Sequence, residues 1–192
     1  MTENIPEIEA GGETRRLGLL MPPAGYEDDT PLLSAVPGFR TWSRQEIEDF
    51  IRAKPYEPRR KTFRDGWKQN QRSWGSCNAC ATAYVQRKGQ YLRGRLDTPM
   101  LDWEFCYAQI NGGRDNGSLL KDGMTACQSI GMPILDPSAN GQGRGRIYKS
   151  HYKPADYESA KANRTTKAVG IPADTQDEFE RTLATAVLSG FP

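Results

Sequence analysis

Apolar residues recur at helical spacing in a series of separate stretches, and most of these carry their own start and stop signals. The first helix is predicted to begin at Ser43. Ser43 and Glu46 form an S-x-x-E capping box, Trp42 can staple onto Ile47, and Phe50 and Ile51 continue the apolar face. Pro55 then stops the helix after Lys54. A second helix is expected near Ser76, with Cys77, Cys80, Ala81, Tyr84 and Val85 on one buried stripe and Gly89 at its end. A third runs from an Asp102 cap through Trp103, Cys106, Tyr107 and Ile110 to Gly112-Gly113. In the fourth, after Ser118, Leu120, Met124, Cys127 and Ile130 share a face, and Gly131 then Pro133 end it. A short helix is placed over Tyr157 to Ala162. The last opens with a second capping box, Thr175 and Glu178, presents Phe179, Leu183, Ala186 and Val187 as its apolar face, and is capped by Gly190.

Two stretches lie outside this pattern. Residues 1 to about 40 read as an extended, irregular arm rich in turn formers, as in "MPPAGYEDDTP". "DPSANGQGRGR", Asp136 to Arg146, is a glycine and arginine loop with no core of its own. The organisation expected is an arm with one short helix over residues 1–57, then the main domain over 58–192. The length of 192 residues suffices for one domain or two small lobes with a core.

Charge narrows the function classes. A formal net charge of +2 points to neither nucleic acid nor a membrane surface. The basic residues Arg59, Arg60, Lys61, Arg144 and Arg146 lack the interleaved aromatics of a nucleic-acid reader, so that partner is not expected. No apolar run approaches the length of a membrane span. The start, "MTENIPEIEA", has neither the basic head nor the apolar centre of a signal peptide. A reducing, cytoplasmic compartment is therefore expected for the four cysteines, Cys77, Cys80, Cys106 and Cys127.

The candidate chemistry lies in "QNQRSWGSCNACATAYV", Gln69 to Val85. Cys77-x-x-Cys80 has zinc-knuckle spacing, but Cys106 and Cys127 are far apart and no second pair accompanies it. No metal is expected. A thioredoxin-like redox pair lacks the βαβ pattern that should precede it. The third reading singles out Cys77. A thiol at a helix N-terminus feels the partial positive charge of unpaired N–H groups, which favours the nucleophilic thiolate. Gly75 just before it lets a substrate or another backbone approach closely. Gln71 offers a side-chain amide that, with the Cys77 N–H, could hold a developing oxyanion. Cys80, one turn on, is then core.

"NQRSWGSCNACA", Asn70 to Ala81, resembles the active-site segment of papain-like cysteine peptidases, whose pattern runs Asn-Gln, then Gly-Ser-Cys, an aromatic, Ala and an apolar residue. On that match Cys77 falls on the nucleophile and Gln71 on the oxyanion-hole glutamine. "LDWEFCYAQINGG", Leu101 to Gly113, is similar to the helix that follows the catalytic one in that family. "DNGSLLKDGMTACQSIGMP" is similar to its Asn-Gly-Gly segment and next helix, which implies that Gly117 and Ser118 lie at the cleft edge with Gly75 and Ser76 and meet an extended peptide. "TQDEFERTLATAVLSGFP" resembles the helix and turn leading into the second lobe. Two departures stand out. Trp74 replaces a cysteine that secreted members often pair in a disulfide, and Asn78 replaces the aromatic after the nucleophile.

A thiol peptidase needs a base, normally histidine, and a group to orient it. The family spacing places the histidine and asparagine ~130–150 residues after the cysteine, past Pro192. His151, the single histidine, comes too early, in "YKSHYKPADYE", and reads as an ordinary surface residue. The resemblance therefore implies an α+β, papain-like cysteine proteinase fold, mainly its helical lobe, with the second β-barrel lobe incomplete and the chain stopping before its base. The implied function is peptide-bond hydrolysis through an acyl-enzyme on Cys77, with Gln71 in the oxyanion hole, no cofactor, and a peptide or protein as substrate. The chain as written is expected to hydrolyse peptides poorly. The alternative is a non-catalytic module that uses the same lobe to hold an extended peptide.

Overall fold

The computed structural model describes residues 7–10, 13–16, 32–53, 69–92, 95, 97–139, 143–165, 169, 171 and 175–189. These residues are mostly helical. The helices are α1 (Arg44–Ala53), α2 (Cys77–Leu92), α3 (Trp103–Ile110), α4 (Leu120–Ser129), α5 (Pro154–Lys161) and α6 (Gln176–Ser189). Strands β1 (Glu7–Ala10) and β2 (Glu13–Arg16) pair antiparallel, Glu7 opposite Arg16. The expected irregular arm therefore contains a hairpin. Its signal in the sequence is the Gly-Gly between the two strands, which apolar periodicity does not carry.

By packing, the chain divides into two compact units: Met1–Glu27 with Gly66–Lys167, and Asp28–Asp65 with Ala168–Pro192. This is a different cut from the sequential one at residue 57.

In the first unit α3 is the centre. Trp103, Glu104, Phe105, Cys106, Tyr107 and Ala108 are all buried. Asp102 caps it as expected, accepting from the Phe105 N–H at 3.1 Å. Ala79 and Ala83 of α2 and Cys127 of α4 join Trp103, Tyr107, Met132 and Ile147 in one apolar cluster. A second cluster sets Phe105 edge-on to Tyr152 and Tyr157, with Ala160 of α5 beside them.

The buried faces of α2 and α4 differ from those predicted. On α2, Val85 is 47% exposed and Ala81 is exposed, while Ala79, Ala83, Asn78 and Gln86 are buried. The reason is closeness: small residues face the aromatics of α3, so larger apolar residues turn outward. Gly123 of α4 shows the same constraint, since a Cβ there would lie 2.7 Å from Thr82 Oγ1. On α4, Leu120 is 58% exposed, and Gly123, Ala126 and Cys127 form the buried side. Gly89 does not end α2, which continues to Leu92 with Gly89 buried inside it. Packing outweighs the ~1 kcal/mol that glycine costs a helix. Gly131 does stop α4: its φ is +87°, and a Cβ there would overlap the Ala160 carbonyl. α5 begins at Pro154, a good first helical residue, rather than at Tyr157.

In the second unit α1 packs on α6. The Ser43–Glu46 capping box is reciprocal: the Glu46 N–H donates to Ser43 Oγ at 3.2 Å and the Ser43 N–H to Glu46 Oε2 at 2.8 Å. Trp42 lies against Phe50, ring centroids 5.2 Å apart. Thr175 caps α6 through the Glu178 N–H. The apolar face predicted for α6 is only partly buried. Phe179, Leu183 and Val187 are 37–43% exposed, whereas Ala186 is buried as expected, together with Thr182, Thr185 and Leu188. The threonines make the seam: Thr182 Oγ1 bonds Thr41 Oγ1 at 3.0 Å, and Thr185 Oγ1 accepts from the Trp42 N–H at 2.9 Å. Gly190, Lys54, Pro55 and the basic residues Arg59, Arg60 and Lys61 lie outside the described residues.

Candidate active site

The turn before α2 is closed by bonds between its own residues. The Trp74 N–H donates to the Gln71 carbonyl at 3.3 Å, and Gln71 Nε2 returns a bond to the Trp74 carbonyl at 3.1 Å. Arg72, inside the turn, has φ +54°, a left-handed conformation that few non-glycine residues adopt. Trp74 then packs against the core cluster. This loop delivers Cys77 as the first residue of α2, half-exposed and with a free thiol.

Ser76 occupies the N-cap position, and its carbonyl accepts from the Cys80 N–H at 3.0 Å. Its hydroxyl is buried and makes no capping bond to the first N–H groups of α2, lying instead toward the Cys80 thiol. Of the other thiols, Cys106 and Cys127 are buried and Cys80 is part-exposed like Cys77. Burial pushes the Cys80 thiol up to about 12, with the Ser76 hydroxyl pulling the other way. The bond to Cys127, together with burial, pushes Cys106 well above the ordinary thiol range.

A polar network joins this turn to the segment after α3. Asp115 Oδ1 accepts from the Gly75 N–H at 2.8 Å and from the Tyr107 hydroxyl at 2.6 Å. Tyr107 Oη in turn accepts from the Gly117 N–H at 3.2 Å. Burial and the Asp115 bond raise the Tyr107 phenol far above its usual range, so it stays a protonated donor. On the other side of Cys77, Asn78 Nδ2 donates to the Leu119 carbonyl at 2.6 Å and to Ser118 Oγ at 3.1 Å.

Gly75, Ser76, Gly117 and Ser118, expected at the cleft edge, are therefore gathered around Cys77, but all four are buried. The Ser118 hydroxyl is taken by Asn78 and the Gly117 N–H by Tyr107. Both serine residues are buried, Ser76 at 0% and Ser118 at 1% exposure. Gln71 is present on the turn, with its amide held by Trp74. Asn78, in sequence only a departure from the family pattern, proves to be a link between α2 and the 118–119 segment. Sequence reasoning misses Asp115 and Tyr107 as site residues. Asp115 sits in a polar "RDNG" run that signals a turn, and nothing local names a partner 40 residues away.

His151 is exposed, at the end of the 3-10 turn Lys149–His151, with its ring against Tyr148 at 5.3 Å. Arg144 pairs with Asp136 at 2.9 Å, and Arg146 lies over the Tyr152 ring at 4.2 Å, so both are engaged within the unit. Another buried group shapes the same loop. The Glu104 carboxylate, missed in a helix read as apolar, accepts from the Arg144 and Gly145 N–H groups at 2.7 and 2.6 Å. Among the described residues no group of three or more His, Cys, Asp or Glu could hold a metal ion, and no helix is long and apolar enough to cross a membrane.

No family model matches the chain, and no curated protein matches it. Among solved structures it is similar to xylellain, described as a cysteine protease from Xylella fastidiosa, with a TM-score of 0.50 and 19% identity. The match covers 64% of this chain and 49% of that one, so the chain spans about half the length of that structure. At this identity the likeness concerns the fold: a mostly helical chain consistent with part of a papain-like cysteine protease fold.

Proposed function

We propose that the chain carries the helical lobe of a papain-like cysteine peptidase and the start of its second lobe, with Cys77 as the nucleophile. One observation carries the reading: Cys77 is the half-exposed thiol at the first position of a 16-residue helix whose N-cap hydroxyl is turned inward. The N–H groups at that helix start favour negative charge developing on the oxyanion. In the reaction, Cys77 Sγ bonds to the substrate carbonyl carbon and its proton passes to a base. The tetrahedral oxyanion is held by the Cys77 N–H and by the Gln71 amide, re-aimed from Trp74. The C–N bond then breaks and the amine leaves with the proton. Water releases the acid and restores the thiol. The main chain at Gly117 and Ser118 lines the cleft, where an extended peptide would use the carbonyls, since the Gly117 N–H is committed. His151, exposed on its own turn, is not the base in this reading. The likeness to a cysteine protease fold supports the assignment.

The test is alkylation of the native chain with iodoacetamide at neutral pH, followed by peptide mapping. Cys77 is expected to be modified first, ahead of Cys80, Cys106 and Cys127. Equal or earlier modification of Cys80, Cys106 or Cys127 would sink the assignment.

A further inference from the structure

Cys77 lies between two anchored residues. Before it, the Gly75 N–H is bonded to Asp115 Oδ1, and after it, Asn78 is bonded to Ser118 and Leu119. The two anchors fall on opposite ends of one short segment, 115–119, so the turn and this segment are pinned together on both sides of the sulfur. The pins differ in kind. Asn78 is a side chain of α2 itself and would move with the helix. Asp115 is the link to the fixed centre of the unit, because the same carboxylate oxygen takes the hydroxyl of Tyr107, which is fully buried on α3.

We propose that Asp115 is a positioning residue for Cys77: one carboxylate oxygen ties the turn that presents the sulfur to α3 and, through Tyr107, to the Gly117 main chain. The inference rests on the reading of Cys77 as a nucleophile that meets an extended peptide. Two donors, an N–H and a phenolic O–H, converge on that oxygen, so both bonds depend on one acceptor. Without it, the Gly75 N–H and the Tyr107 hydroxyl lose their common partner. The Gly117 N–H then hangs on a hydroxyl with nothing to orient it. An error of ~1 Å at a reacting atom costs about 10²-fold in a reaction that demands alignment, and far less in one that does not.

That difference makes the test. Iodoacetamide asks only whether the thiol is accessible, whereas a peptidyl chloromethyl ketone must also lie in the cleft in register with the sulfur. The rates of both reagents at Cys77 are measured in the full chain, with circular dichroism to follow the fold. Asp115→Ala is expected to lower the peptidyl reagent's rate by about tenfold or more while the iodoacetamide rate changes by less than about threefold. Asp115→Asn, which keeps an acceptor oxygen, should recover most of the loss. If Asp115→Ala fails to fold, Tyr107→Phe serves, with an expected drop of about threefold or more in the ratio of the two rates. A ratio unchanged in folded Asp115→Ala or Tyr107→Phe overturns the proposal, as does Asp115→Asn behaving like the alanine variant. If the unsubstituted chain shows no preference for the peptidyl reagent, the peptidase reading itself fails and the positioning role falls with it.

Discussion

Helices α3 and α6 are predicted by the same rule, and they pack differently. On α3 Trp103, Cys106 and Tyr107 are inside as expected, Ile110 is partly buried against them, and even Glu104 between them is 1% exposed. On α6 the expected apolar face is partly turned outward, and two threonines hold the helix against Thr41 and Trp42. The lesson concerns what a hydrophobic stripe can report. A helix packed on several sides buries nearly every residue, so any stripe drawn on it succeeds. A helix with one partner buries only the face that fits that partner, and here the fit is by hydrogen bonds, which apolar periodicity does not register.

The comparison breaks most visibly through Trp103, which is fully buried at the centre of the first unit. Trp103→Ala should cost about 3–5 kcal/mol. Hydrogen exchange should report the loss in the amides of α2, α3 and α4. Unchanged protection there would show that α3 is not the centre of the packing.

The caps of the two helices sharpen the contrast. α6 is capped by the exposed Thr175, α3 by the buried Asp102. Burial, with the neighbouring Glu104 charge adding to it, pushes the Asp102 carboxyl up to about 6. The folded chain then holds a proton at pH values where the unfolded chain has lost it. This group's contribution to stability is highest below pH ~4, falls as pH rises through about 6, and is level above that. The loss is of the order of 2–3 kcal/mol. Asp102→Asn keeps the capping oxygen and removes the charge. It should flatten that part of the profile and raise stability at pH 7.5 by about 1–3 kcal/mol in urea denaturation. A variant with the same profile as the parent would remove Asp102 from this role.

The smallest effects belong to α6. Thr185→Val conserves shape but leaves the Trp42 N–H without its acceptor, at a cost of about 1–3 kcal/mol. Leu183→Asn, on a face 40% exposed, should change stability by no more than about 0.5 kcal/mol. Hydrogen exchange across α6 distinguishes them. If Leu183→Asn proves the more damaging, the apolar stripe and not the threonine seam holds this helix.

Features made within a few residues were legible in the amino-acid order alone. The Ser43–Glu46 box, the Asp102 and Thr175 caps and the stop at Gly131 all form where they are read, because each needs only a side chain and the backbone one turn away. Cys77 at the start of a helix is legible for the same local reason. Which face of α2, α4 and α6 lies inside emerges only on folding, since it depends on the size and polarity of a partner far along the chain. The same holds for how the turn at Cys77 is held. Asp115, Tyr107 and Asn78 are polar residues whose donors and acceptors could be met by water or by neighbours, and only the packing of α2 against α3 and α4 brings Gly75, Gly117 and Ser118 within their reach.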